Sequence, residues 1–214
     1  MRLVCATLLL LTARSAVAQD TVDVRADRAS VIHWQLEQPY TSRFEGWRYS
    51  GRDSTKLFAG RNIVTHRDVG GRPELIVASE PDSPETMRFD LHTLAFLGVT
   101  KTPHDPDAFH GPTADIMVEF LPRRLGVVYR ARLWFDGQRM SEAHLYETKG
   151  RDDIQVFGKR YRNVWVVDDW KAATRRLASR LWLIDRPPYM LRWEFYDAPE
   201  VGSRVIASQE AISQ

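Results

Sequence analysis

The densest set of metal-capable side chains in this 214-residue chain is His104, Asp105, Asp107 and His110. Imidazole and carboxylate together suit zinc, and a loop can wrap an ion. The spacing matches no zinc signature, however. Pro103 and Pro106 stiffen the segment, and a polar surface loop accounts for the same residues. A second pair with chemical potential is Glu142 and His144. If Asp136-Gly137 forms a two-residue hairpin turn, Ala131 faces Glu142 and Tyr129 faces His144. A carboxylate and an imidazole then project from the same face as Val127, Tyr129, Leu133, Phe135 and Met140. Such a pair can grip a polar headgroup or serve as acid and base. A wet cavity mouth accounts for it too, as does a turn one residue longer that sends both side chains to solvent. His66 and Asp68 share one face of an ordinary strand. No nucleophile elbow, Gly-rich phosphate loop, His-Glu-x-x-His or paired-carboxylate motif is present. A Ser-His-Asp triad is assembled in space and leaves no local signature. The expectation is a protein with no catalytic residue, no cofactor and no resident metal.

The segments that must position these residues are short and β-like. Asn62 to Val69 and Arg72 to Ser79 flank Gly70-Gly71, a pair that accepts positive φ at both turn positions. In that register Arg67 faces Glu74, Val64 faces Val77 and His66 faces Leu75. Val31 to Leu36, Thr86 to Leu91, Gly126 to Phe135 and Gln138 to Glu147 read as further strands, whereas Tyr40 to Leu57 resists assignment. Residues 101–112, with three Pro and one Gly, read as a loop. Thr113 to Leu121 fits a short helix capped by Thr113, and a strand fits nearly as well. From Asn163 to Ala207 the chain reads as a Trp-rich antiparallel meander: Val164 to Val167, a charged turn, Leu177 to Ile184, Tyr189 to Tyr196, and Arg204 to Ala207. On the third of these strands Tyr189, Leu191, Trp193 and Phe195 share one wholly apolar face. That face must be covered by core, by a facing wall of sheet or by a ligand, and each large side chain fully buried is worth about 1.5–3 kcal/mol.

The first 18 residues read as a cleaved export signal, and residues 19–214 as a single domain. Arg2 precedes the apolar run Leu3 to Thr12, and Ala16-Val17-Ala18 supplies the small-residue cleavage pattern. The run is shorter than the roughly 20 residues needed to span a bilayer, and no later stretch reads as a transmembrane segment. Cys5 is the only cysteine and lies within the leader, so the mature chain is expected to lack disulfides, thiolate metal sites and cysteine nucleophiles. Lys and Arg number 30 against 28 Asp and Glu. Loss of Arg2 and Arg14 with the leader brings the balance to neutral, so there is no clustered basic footprint of the kind nucleic-acid binding requires.

The order of elements between residues 86 and 208 resembles a group of uncharacterised exported bacterial proteins related to the periplasmic lipoprotein-carrier (LolA/LppX-like) half-barrels. The resemblance rests on Leu121-Pro-Arg-Arg-Leu-Gly126, Asp153-Ile-Gln-Val-Phe-Gly158, Val164-Trp-Val-Val167 and Leu181-Trp-Leu-Ile-Asp-Arg-Pro-Pro-Tyr-Met-Leu-Arg-Trp-Glu-Phe195. It implies a mainly β fold: one strongly bent antiparallel sheet around an apolar concavity, with one or two short helices. The expected function is non-catalytic, in the periplasm or secreted. An acyl chain or other apolar ligand would lie against Leu191, Trp193, Phe195 and the Val127–Phe135 strand, with Glu142 or His144 near its polar head. An envelope protein-interaction module with a filled core is the alternative, and a metal-dependent or hydrolytic enzyme is the third reading.

Overall fold

The computed structural model describes residues 21–23, 39–80, 86–90, 96–100, 124–134, 141–198 and 203–212. Every regular element among them is a strand: β1 (Thr21–Asp23), β2 (Tyr40–Ser50), β3 (Asp53–Val69), β4 (Arg72–Glu80), β5 (Thr86–Asp90), β6 (Phe96–Thr100), β7 (Val128–Trp134), β8 (Ser141–Val156), β9 (Lys159–Lys171), β10 (Arg176–Leu183), β11 (Met190–Ala198) and β12 (Ser203–Ile212). They form one sheet in the order β1-β7-β8-β9-β10-β11-β12-β2-β3-β4-β5-β6. Neighbours pair antiparallel except β1, which joins β7 in parallel. Two runs of sequential strands meet where the C-terminal β12 pairs with β2, and that pairing stitches the N-terminal hairpins onto the Trp-rich meander.

The Gly70-Gly71 hairpin forms as its residues dictate. Both glycines have positive φ, 60° and 82°, and the Asp68 Oδ1 accepts the Gly71 N–H at 2.8 Å. Arg67 pairs with Glu74, Val64 with Val77 and His66 with Leu75. The β7–β8 hairpin differs from expectation. Ala131 pairs with His144 and Leu133 with Glu142, a register two residues away from that of a two-residue Asp136-Gly137 turn. Because side chains alternate with period 2, an even shift keeps every residue on its expected face, where an odd shift would have inverted it.

The sheet is strongly curved. In a flat sheet, β9 and β2 would stand four strand spacings apart, roughly 19 Å. Instead the Arg43 guanidinium of β2 lies 4.4 Å above the ring of Phe157, in the β8–β9 turn, and it pairs with Glu210 of β12. Irregularities in register at Gly46/Trp47, Thr148/Gly150, Asp152/Ile154, Leu177/Ser179, Trp182/Leu183 and Phe195/Ala198 add local twist. One hydrophobic cluster, Ile154, Val156, Tyr161, Val164, Trp182 and Leu191, fills the bend between β8 and β11. The expected strand at Val31 to Leu36, the loop at 101–112 and the helix or strand at 113–121 lie outside the described residues.

Candidate functional site

Two features of the sheet stand apart chemically: an open aromatic groove and a closed polar network. The groove begins with the local pairing of β2 and β3. Phe44 stands opposite Gly60, and Phe58 opposite Gly46. Each phenylalanine ring thus lies over the glycine of the other strand, with the two rings 5.9 Å apart. A Cβ at Gly46 would run into the Phe58 ring, and one at Gly60 would come within 2.9 Å of Phe44 Cζ. At Gly46 the Phe58 ring fills the space a side chain would take; at Gly60 the Glu80 backbone carbonyl fills it first and the Phe44 ring second.

From Phe58 the cross-strand row continues through Gly46 and Ala207 to Trp193. Trp193 meets Phe195 edge to face at 5.9 Å. Beside this row are two adjoining cavities of about 290 and 260 Å³, which share Asn62, Met87, Met190, Trp193 and Gln209 in their walls. Phe44 and Phe58 line the first, while Tyr40, Val64, Leu75 and Val77 line the second. Together they fall within the roughly 300–1,000 Å³ typical of small-molecule sites, and an apolar wall with a few polar groups is the usual composition. The polar groups are amides: Asn62 Nδ2 donates to Gln209 Oε1 at 3.4 Å, and Gln209 Nε2 donates to the Pro188 carbonyl at 3.1 Å. The apolar side chains remain open to solvent: Trp193 is 39% exposed, Phe195 38% and Phe58 41%.

The polar network lies one strand beyond. Tyr129, Tyr146, Asp169, Ser179 and Phe195 form one continuous cross-strand row, so they project from the same face of the sheet. His144 Nδ1 is 2.6 Å from Asp169 Oδ1, and the Ser179 hydroxyl donates to Asp169 Oδ2 at 2.9 Å. All three residues are buried. The imidazole also stacks on Tyr146, 6.2 Å between centroids. The carboxylate sits between the serine and the imidazole, whereas a hydrolytic triad needs the imidazole between the other two. The arrangement therefore orients and satisfies buried groups; it does not activate the serine. Asp168, next in the chain, points to the opposite face and receives Arg180 through two bonds of 2.6 and 3.1 Å. Adjacent aspartates thus serve opposite sides of one strand.

Leu191, Trp193 and Phe195 all sit on β11: Leu191 is fully buried with Trp182 in the core and also forms part of the first cavity's wall, Trp193 lines both cavities, and Phe195 is partly exposed against Trp193 but lines neither. The expectation that this whole face is covered holds for Leu191 and is incomplete for the other two. Tyr129 and His144 belong to the polar row and are absent from the groove walls. Leu133 and Glu142 are paired across β7 and β8. Phe135 and Met140 lie outside the described residues, as do His104, Asp105, Asp107 and His110. Asp169 and Ser179 were not singled out by the sequence, because Asp168-Asp169 reads as part of a charged turn after Val164 to Val167. Instead β9 runs on to Lys171 with both aspartates buried. Phe44, Phe58, Met87, Asn62 and Gln209 were missed too, since most come from strands far from the meander.

No family model matches the chain, and no curated protein matches it. Solved structures that it is similar to include YmcC of Escherichia coli, described as a hypothetical lipoprotein, at 11% identity and a TM-score of 0.33, over 89% of this chain and 96% of that one. A DUF1329 family protein of Desulfovibrio piger aligns at 11% identity and 0.27, over 88% and 92%. A domain assigned to outer-membrane lipoprotein sorting in Vibrio parahaemolyticus aligns at 11% and 0.27, over 89% and 91%. Scores this low leave the superposition too loose to carry any residue's role across.

Proposed function

We propose that this chain is an exported cell-envelope protein that holds an apolar or amphipathic lipid in the groove between β2, β3, β11 and β12, without catalysing a reaction. The observation that carries the reading is the pair of partly exposed rings, Phe58 and Trp193, in the walls of two adjoining, largely apolar cavities, with Phe195 edge-on to Trp193. A folded chain gains by covering such rings, and a contiguous exposed apolar patch marks a surface that something else completes. The acyl portion lies along Phe44, Phe58, Met87 and Trp193, with the Asn62–Gln209 amides as its polar contacts. His144 is left to the buried network, because its Nδ1 is committed to Asp169.

Titration of the exported protein with a fluorescent long-chain fatty acid tests this reading. Saturable binding is expected, weakened about tenfold by Trp193→Ala, the equivalent of about 1.4 kcal/mol of lost contact. Absence of saturable binding, or equal binding by the variant, would contradict it.

A further inference from the structure

The tip of the β2–β3 hairpin is paired with β12 on its β2 side and uncovered on its β3 side. The pairing of β3 with β4 ends at Arg61 with Glu80, so Asp53 to Gly60 continue past β4. On the other side, β12 accompanies β2 only as far as Tyr49. The ten residues Ser50 to Ala59 are consequently all exposed, among them Leu57 and Phe58 at 41% each. Leu57 is the unpaired residue of the bulge where Gly46 pairs with Phe58 and Trp47 with Lys56.

The composition of this arm is specific. Between Glu45 and Ala59 it carries Arg48, Arg52 and Lys56 against Glu45 and Asp53, with Lys56 Nζ 3.4 Å from a Glu45 carboxylate oxygen. The cations are interleaved with amphipathic rings: Lys56 Nζ lies 5.5 Å from the Trp47 ring centroid, and Arg204 of β12 lies 5.9 Å from that of Tyr49. Trp and Tyr rings with Lys and Arg beside them suit the headgroup level of a bilayer, and basic residues next to anionic lipid attract it by roughly 1 kcal/mol each. The exposed leucine and phenylalanine supply the apolar part that such a contact buries.

We infer that the β2–β3 arm docks on an anionic phospholipid surface, with Arg48, Arg52 and Lys56 on the headgroups and Leu57 reaching below them. Phe58 belongs to both the arm and the groove wall, so docking brings the groove mouth to the membrane. The docking stands apart from the proposed lipid binding, and the two fail separately.

Vesicle flotation with the exported protein tests the inference, comparing pure phosphatidylcholine with phosphatidylcholine containing phosphatidylglycerol. The expected result is partitioning to the anionic vesicles that weakens with added salt. Arg52→Gln and Lys56→Gln should each reduce it about fivefold, and Leu57→Ser should reduce it further at high salt. All three substituted sites lie on an exposed arm, and unchanged near-UV circular dichroism confirms that the fold is intact. As a second readout, a nitrobenzoxadiazole probe on Ser54→Cys should shift to the blue on anionic vesicles. Equal partitioning to both vesicle types, or no loss with the arm variants, would overturn the docking surface, and so would an unshifted probe. Binding of soluble short-chain fatty acid by Arg52→Gln and Lys56→Gln should remain at wild-type level, whereas Trp193→Ala should bind it about tenfold more weakly and still float. A protein that floats normally but binds no fatty acid would sink the lipid-holding proposal and leave the docking intact.

Discussion

The two ends of this sheet use polar and apolar residues in opposite ways. Across β8, β9 and β10, His144, Asp168, Asp169 and Ser179 are inside, and hydrogen bonds join them to one another or to Arg180. Across β2, β3 and β11, Phe58, Trp193 and Phe195 are open to solvent. A buried polar group is costly unless it is hydrogen-bonded, and the first region ties its carboxylates, imidazole and hydroxyl together strand to strand. An exposed aromatic row is tolerated by a folded chain but not completed by it. The contrast separates a region that holds the sheet together from a region that leaves room for a second molecule. Phe195 marks the boundary: it stands directly opposite Ser179.

The contrast can be broken most severely from the polar side. Asp169→Ala leaves both His144 and Ser179 without their shared acceptor, at about 1–3 kcal/mol for each buried group so stranded. A loss of about 3 kcal/mol is expected in urea unfolding, with fatty-acid affinity nearly unchanged in the folded fraction. A loss under about 0.5 kcal/mol would mean the network is incidental. Leu191→Ala should cost a similar amount, about 3 kcal/mol, through the cavity it opens in the core. Phe195→Ala, two residues along the same strand, should cost only about 1–2 kcal/mol because its ring is already partly solvated. Equal costs at 191 and 195 would erase the distinction between core and groove.

Gly46→Ala sharpens the groove side. Its methyl group displaces the Phe58 ring, with an expected cost of about 1 kcal/mol from the forced repacking and a larger proportional loss of ligand affinity. The smallest effect is expected at alkaline pH. Burial, then the charge of Glu210, raises the Tyr161 hydroxyl above its ordinary 10.0, and burial, then Glu194, does the same for Tyr196. A group whose folded pKa is raised keeps its proton longer in the folded state, so stability falls as pH rises above 10.0 toward the folded values. The fall should be shallower in Tyr161→Phe, measured as unfolding free energy against pH between 9 and 11 (roughly one unit either side of an ordinary tyrosine).

The strands that the sequence made legible are those whose turns declare themselves. Gly70-Gly71 fixed three cross-strand pairs correctly, because two consecutive positive-φ positions leave little choice of loop length. Asp136-Gly137 misled by two residues, since a register shift of two preserves the same alternation and no local feature distinguishes the two. The curved, mainly β architecture followed from the Trp-rich meander. Tyr40 to Leu57 escaped because Gly46, Gly51 and the bulge at Leu57 interrupt the period that marks a strand. The buried network escaped for a different reason. Asp168-Asp169 is locally indistinguishable from a solvated turn, and only the tertiary pairing with Arg180, Ser179 and His144 makes burial tolerable. The groove was half legible: Leu191, Trp193 and Phe195 lie within one strand, but their opposite wall, Phe44, Phe58 and Met87, comes from strands more than a hundred residues earlier.

Native mass spectrometry of the protein purified from its own host, followed by organic extraction, tests the lipid-holding account most directly. The account predicts a discrete adduct that extracts as lipid and is lost in the Trp193→Ala variant. A bare mass in the wild type, with no uptake of added fatty acid, would contradict it and return the aromatic groove to a surface completed by protein.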